Sequence, residues 1–247
     1  MAQPQPSSNR PADTIRLNKF LAERLGISRR EADEVIAAGK VTIDGTTAAL
    51  GARLATPVNL DNSPKVCYNG SIVPFQTDFL YLALNKPVGY VCSRRAQGDA
   101  PTIYELLPAK YRQLKTVGRL DKDSSGLILL TNDGDFAYQM THPKFHKEKI
   151  YQVTLDHPLE PLHQQMISDY GISLEDGVSR FTVIRDTSYN SAEPATHYTV
   201  ILSEGRNRQI RRTFAALGYH VVALHRTQFG KYELTGLNTG EYTEIPR

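Results

Sequence analysis

The chain is short of most features that mark a specialised protein class. Two cysteines, Cys67 and Cys92, stand among 247 residues. They are too few for a disulfide framework or a four-cysteine zinc site, and both are expected to be reduced thiols of a cytoplasmic protein. Long apolar runs are missing: the most strongly apolar stretch, Leu127–Leu130, is far below the roughly 20 residues of a membrane helix. The opening residues, MAQPQPSSNRPADT, are polar and proline-rich, which reads as a disordered leader over 1–13 and not as a secretory signal. Neither sign of charge dominates. Lys+Arg is 29 against 26 for Asp+Glu, a net of +3, so a nucleic-acid partner is permitted but not demanded, and the placement of charge matters more than its sum. Neither G-x-G-x-x-G nor G-x-x-x-x-G-K-[ST] occurs, and His142, His146, His220 and His225 lack metal-ligand spacing. These histidines read as loop or surface residues, and no cofactor or metal is expected. Asn69-Gly70-Ser71 matches a glycosylation sequon without a secretory context and is set aside.

What is present divides the chain in two, as its length allows at about 150 residues per domain. Leu17, Phe20, Leu21 and Leu25 recur at helical spacing, and Gly26 ends that helix. Ser28 and Glu31 form a capping box for a second helix with Ala32, Val35 and Ile36 inward. Val41 and Ile43 then alternate with polar residues before a turn at Asp44-Gly45. A small domain of two helices and a β-hairpin is therefore expected over 14–60, followed by a Pro- and Asn-rich linker over 61–77. From 78 to 247 the pattern is mixed. FLYLALNKP and GLILLTN read as buried strands, IYQVTL and HYTVILS as alternating ones. Helices are expected at 132–142, 159–170 and 207–217. The fold class is α+β, mostly antiparallel.

Basic residues mark the small domain. Arg16, Lys19, Arg29 and Arg30 lie on or just before its helices. Arg29 and Arg30 open a helix, where the macrodipole disfavours cations by a few tenths of a kcal/mol, partly offset by Glu31, Asp33 and Glu34. A phosphate-binding face explains them; a solvated helix start is the plainer reading. The string RLNKFLAERLGISRREADEVIAAGKVTIDG closely resembles the RNA-binding module named after the fourth protein of the small ribosomal subunit, over residues 15 to about 60. The resemblance implies recognition of structured RNA by shape and backbone.

Residues 118–134 read GRLDKDSSGLILLTNDG. Asp121, Asp123, Ser125, Gly126 and Ile128 fit the first eight positions of a calcium-binding EF-hand loop, but the twelfth, which should be a bidentate Glu, is Asn132. A purely structural Asp in a turn is a second alternative. The third is catalytic: Asp121 follows Arg119 by two residues, and Gly126 lets the chain turn into a buried strand. A carboxylate beside arginines stays ionised at neutral pH and can act as nucleophile or general base.

The same stretch resembles the signature of the pseudouridine synthases, in their small-subunit ribosomal uridine branch. LALNKPVGYVCS (82–93) is similar to that branch's K-P-x-G segment, and LSEGRNRQIRRTFAALGYHVVALHR (202–226) to its arginine-rich motif. With the amino-terminal module, the resemblance covers residues 15 to about 235. It implies an isomerase that breaks the N1–C1′ bond of a uridine, turns the base and rejoins it through carbon 5, without cofactor. It implies that Asp121 is the essential carboxylate, that Tyr151 in KEKIYQVTL is the active-site tyrosine, and that Arg211 in RQIRR pairs with the catalytic Asp. Tyr151 also reads as an ordinary strand tyrosine.

Arg208, Arg211 and Arg212 fall at i, i+3 and i+4 and so share a helix face, which, with Arg206, could track RNA phosphates. Ile210, Phe214 and Leu217 form the core-facing set. Arg119 is a candidate either to fill the place vacated by a flipped uridine or to make a local salt bridge. Lys86 and Pro87 read as structural. The expected partner is ribosomal RNA or a partly assembled subunit, acted on by a monomer away from any membrane. KPVGYVCS and THPKFHKEKIY lean the target toward the large (23S) subunit. Small-subunit (16S) RNA, or a non-catalytic RNA-binding assembly factor, is the alternative.

Overall fold

The computed structural model describes residues 14–55, 63–75, 78–94, 98–187 and 196–247. They form two compact units, Met1–Phe79 and Leu80–Arg247; the leader lies outside the described residues.

The small unit runs β1 (Thr14–Arg16), α1 (Leu17–Arg24), α2 (Arg29–Ala37), β2 (Val41–Ile43), β3 (Thr46–Thr47), β4 (Arg53–Ala55), β5 (Val66–Tyr68) and β6 (Ser71–Ile72). The capping box at α2 is complete: the Glu31 amide donates to Ser28 Oγ at 3.1 Å, and the Ser28 amide to Glu31 Oε2 at 2.6 Å. Leu17, Phe20 and Leu21 of α1 pack with Ala32 and Ile36 of α2 against Val41, Leu54, Val66 and Val73. β1 pairs with β4, and the remaining strands form a sheet in the order β3-β2-β5-β6.

The expected linker is corrected here. Its described part carries β5 and β6, and Val66 faces Ile43 across the sheet. The sequon Asn69-Gly70 is the β5–β6 turn, with φ of 48° and 80°, the positive pair that a tight two-residue hairpin demands. Asp44-Gly45 closes β2–β3 in the same way, at 49° and 81°.

The large unit contains β7 (Tyr81–Lys86), β8 (Lys115–Val117), β9 (Ser125–Thr131), α3 (Gly134–Thr141), β10 (Lys149–Leu155), α4 (Pro161–Gln165), β11 (Ile172–Leu174), β12 (Gly177–Ser179), β13 (Thr182–Arg185), β14 (His197–Leu202), α5 (Gln209–Ala215), β15 (Val221–Phe229), β16 (Tyr232–Glu233) and β17 (Tyr242–Glu244). The expected helix at 159–170 is α4 continued by a π-helical turn, Met166–Tyr170.

The main sheet has the order β13-β14-β10-β15-β9-β7-β17, with β8 on β9 and β16 on β15. Its pairings are antiparallel except β15 with β9. Both faces are covered, which explains the unbroken apolar runs. Leu82, Leu84, Ile128 and Leu130 enter one core cluster, while Tyr81, Ala83, Leu127 and Leu129 enter another. Over the second, α3 packs Phe136 and Met140. That helix starts at Asp133, whose Oδ1 accepts from the Asp135 and Phe136 amides at 3.0 Å each.

Candidate active site

The β8–β9 loop presents Asp121, whose carbonyl accepts from the Ser124 amide at 3.1 Å to make a turn. Lys86, fully buried at the end of β7, clamps this loop: its Nζ donates to the Ser124 carbonyl at 2.6 Å. Burial pushes that amine below the ordinary lysine range, against the pull of the nearby Cys92, Asp121 and Asp123. The structural reading of Lys86 thus gains a specific job.

Asp121 lines a cavity of about 350 Å³ together with Tyr151, Lys149, Arg226, Leu202 and Phe229. On its other side, a cavity of about 560 Å³ is lined by Val88, Gly89, Cys92 and Arg119. The Asp121 side chain is 21% exposed, with Arg119 Nη2 at 4.0 Å and Arg208 Nη1 at 3.8 Å. Two cations therefore flank the carboxylate, and among the described residues no hydrogen bond holds it. The strand at Ser125–Thr131 also replaces the loop and exiting helix that an EF-hand requires.

The expected partner of Arg211 is corrected. Arg211 Nε lies 3.4 Å from Asp123 Oδ2, without hydrogen-bond geometry. Its Nη2 donates to the Asp123 carbonyl at 2.8 Å and its Nη1 to the Val221 carbonyl at 2.7 Å. Arg208 takes the Asp123 carboxylate in a fork, both bonds at 3.0 Å. Burial pushes the Asp123 carboxyl up, but the Arg208 hydrogen bond and the charges of Arg211 and Arg208 outweigh it and hold the group below the ordinary range. Arg211 thus touches the loop that carries Asp121, through the residue two positions on.

The shared helix face is corrected as well. Arg208 precedes α5 in the left-handed region, φ 47°, a costly conformation for a side chain with a Cβ. That bend aims its fork at Asp123. Arg206 donates to the Asp176, Gly177 and Val178 carbonyls, and Arg212 grips the Asp176 carboxylate at 3.0 and 2.7 Å. Both side chains are tied to the β11–β12 hairpin, so they do not form an open stripe with Arg211. Ile210 and Phe214 are core residues as expected, and Leu217 packs partly buried against them.

Tyr151 is 7% exposed on β10, directly opposite Arg226 of β15. Two cations missing from the sequence reading stand beside it. Lys149 precedes Tyr151 by two residues, which in a strand is the spacing of a shared face. Arg226 is 2% exposed. Strand alternation could have flagged the first; the second is hidden at the end of an apolar run. His225 is also corrected: it lies on β15, half-buried, with Nδ1 2.9 Å from Ser125 Oγ, and burial lowers its pKa. His142 lines the smaller cavity, and the His220 amide donates to Asp156 Oδ1 at 2.9 Å.

In the small unit, Arg16 immediately precedes α1. Lys19 lies 3.9 Å from Glu23. Arg29 Nη2 donates to Asn18 Oδ1 at 3.1 Å, and Arg30 is exposed in the first turn of α2.

Comparison with known proteins matches residues 80–216 to the RNA pseudouridylate synthase family and residues 15–54 to the S4 domain. The chain is 39% identical over 235 residues to ribosomal small subunit pseudouridine synthase A of Pasteurella multocida (strain Pm70), covering 94% of this chain and 96% of that protein. It is 36% identical to the protein of the same name from Escherichia coli (strain K12), with the same coverage. A solved pseudouridylate synthase superposes with a TM-score of 0.63 at 32% identity, covering 94% of this chain and 96% of that one.

Proposed function

The chain belongs to the RNA pseudouridylate synthase family, with an S4 domain ahead of the catalytic unit, and from that premise we propose that it isomerises one uridine of small-subunit (16S) ribosomal RNA. The observation that carries the assignment of the reacting group is Asp121. It is a partly exposed carboxylate, flanked by Arg119 and Arg208 and free of hydrogen bonds among the described residues, at the wall of a cavity that also holds Tyr151. A carboxylate so placed is available to attack C1′ or to take the ribose 2′ proton. Tyr151 supplies a ring face for the base and a hydroxyl within the same cavity. Leu120, Leu202 and Leu224 are among the apolar residues of the lining, with Met140, Ile210 and Phe229.

The target must leave its stack to enter, at a cost of a few kcal/mol. Arg119, with a side chain 73% exposed, is placed at the mouth to meet the flanking phosphates or the vacated position. Arg211 is a positioning residue, holding the loop through the Asp123 carbonyl. Arg16, Lys19, Arg29 and Arg30 dock the S4 domain on a nearby RNA helix through phosphate contacts. Every residue in this reading comes from one chain. Among the described residues no helix is long and apolar enough to cross a membrane.

The expected large-subunit target is set aside, because the relatives that match over nearly the full length carry small-subunit names. A tritium-release assay tests the reading. Ribosomal RNA labelled at carbon 5 of uridine, from cells lacking the enzyme, is incubated with wild-type protein or Asp121→Asn. About one label released per small-subunit RNA, by the wild type only, with RNA affinity retained in the variant, is the expected result. Release from large-subunit RNA alone would overturn the target. No release by either protein, on free RNA and on immature subunits, would leave an RNA-binding assembly factor.

A further inference from the structure

Two cations stand on one aromatic ring inside the smaller cavity. Arg226 Cζ lies 4.9 Å from the centroid of Phe229 and Lys149 Nζ lies 5.2 Å from it. Among the described residues Lys149 donates only to the carbonyls of Lys147 and Glu204, at 3.3 and 3.2 Å. Arg226 donates through Nε to the Leu127 carbonyl at 2.7 Å, and its buried Nη2 has no partner among the described residues. Among the described residues neither cation makes an ion pair; Glu204, whose charge pulls on Lys149, is itself engaged by Arg206 Nη2 at 3.2 Å and by Gln209. Burying like charges without a counter-charge is costly, and a site that tolerates it is complementary to an anion.

Which anion follows from depth. Arg226 is 2% exposed, between β9 and β10. A backbone phosphate would meet Arg119 at the rim first. The reaction, however, makes an anion inside the cavity. When the N1–C1′ bond breaks, its electron pair goes to N1 and spreads by resonance onto the two carbonyl oxygens of the base. Asp121 meets the electron deficiency at C1′, by bonding to it or by taking the 2′ proton. After the base turns, the C5–C1′ bond forms, Asp121 is released or returns its proton, C5 loses a proton and N1 gains one. Between these events the base carries a full negative charge and must not escape.

We propose that Arg226 and Lys149 form the site that holds this detached uracil anion while it turns, donating to its carbonyl oxygens from one side of the cavity. The proposal rests on the reading of Asp121 as the reacting carboxylate. Phe229 gives the cations a polarisable face that does not neutralise them. Burial, then the charge of Arg226, lowers the Lys149 amine to about 8, against the pull of Glu204. Lys149 is therefore charged at neutral pH but sheds its proton readily, and an anion beside it would restore the ordinary value.

The test uses single-turnover kinetics of the full-length protein at saturating RNA, with Arg226→Gln, Arg226→Lys and Lys149→Met. Loss of one preorganised donor lowers such a rate by about 10²–10³-fold. Arg226→Gln and Lys149→Met are expected to fall by that order with RNA affinity within about twofold of wild type, and Arg226→Lys is expected to recover part of the loss. RNA carrying 5-fluorouridine at the target supplies a base whose anion the fluorine already stabilises. Followed as disappearance of the 5-fluorouridine, its cleavage should show a deficit at least tenfold smaller in both variants.

A deficit of equal size on both substrates would overturn the role in holding the anion. A loss of affinity in step with rate, with a shallower salt dependence, would assign the pair to a phosphate. Should Arg226→Gln fail to fold, Lys149→Met decides alone, and wild-type turnover in it would sink the pair. Failure of the wild type to release label would instead count against the reading of the site itself.

Discussion

Gly126→Ala probes the junction on which the site is built. Gly126 faces Arg226 in the β9–β15 pairing and has φ of +103°. A Cβ there would lie 2.6 Å from the Arg226 amide nitrogen and closer still to its carbonyl oxygen. The glycine is thus required by the close approach of β15, a stronger constraint than the turn into the strand that its sequence position suggests. Two costs add on substitution. A side chain at that backbone angle costs on the order of 1–3 kcal/mol. Displacing a neighbouring backbone in a packed core costs roughly another 1–3 kcal/mol. The stiffer unfolded chain offsets about 0.4–1 kcal/mol. The net is about 3 kcal/mol, and at about 2–4 °C per kcal/mol for a domain of this size the midpoint should drop by roughly 6–12 °C. Near-ultraviolet circular dichroism isolates the right unit, since the chain has no tryptophan and, of its 13 tyrosines, only Tyr68 lies in the small unit. Turnover at 25 °C should fall as well, because any shift of β15 displaces Arg226. A midpoint within 1 °C of wild type would refute the reasoning, and a rise would mean that the two strands do not approach as described.

Ser28→Ala removes the cap of α2 and should cost about 1 kcal/mol, read as faster amide exchange in that helix with the near-ultraviolet melt unchanged; unaltered exchange would count against the cap. Arg211→Lys loses the fork that spans the Asp123 and Val221 carbonyls. A lysine cannot bridge both, so turnover at saturating RNA should fall on the order of 10–100-fold from loop misplacement, with affinity within twofold. A lysine variant with full activity would show that the fork does not position Asp121. Arg29→Ala and Arg30→Ala should each reduce the slope of log affinity against log salt by about 1, and an unchanged slope in both would remove them from the RNA face.

Most of the architecture was legible where a local pattern determines it. The capping box at Ser28 and Glu31, the apolar spacing of α1, and the buried runs at 81–86 and 125–131 all involve neighbours in the chain, and each forms as read. β5 and β6 were missed for the opposite reason. Strands of three and two residues in a Pro- and Asn-rich stretch have too little alternation to register; β5 reaches the core by pairing with β2, and β6 pairs with β5. The Asn69-Gly70 pair matches a glycosylation sequon and is at the same time a two-residue turn signal, and the backbone angles show the turn.

The active site divides along the same line. Asp121 and Tyr151 stand in motifs that a family resemblance can carry, and both reach one cavity. The choice between Asp121 and Asp123 as the partner of Arg211 lies beyond helical spacing, because the two carboxylates are two residues apart in a turn and only the turn decides which faces α5. The left-handed backbone at Arg208 likewise breaks the i, i+3, i+4 face by keeping its first member out of the helix. Arg226 is the extreme case. Its significance comes from standing beside Gly126 on one side and Tyr151 on the other, residues from two other strands. Arg226 closes the arginine-rich motif at 202–226, but local spacing does not mark it; only pairing across three strands brings this buried cation to the cavity that Asp121 and Tyr151 line.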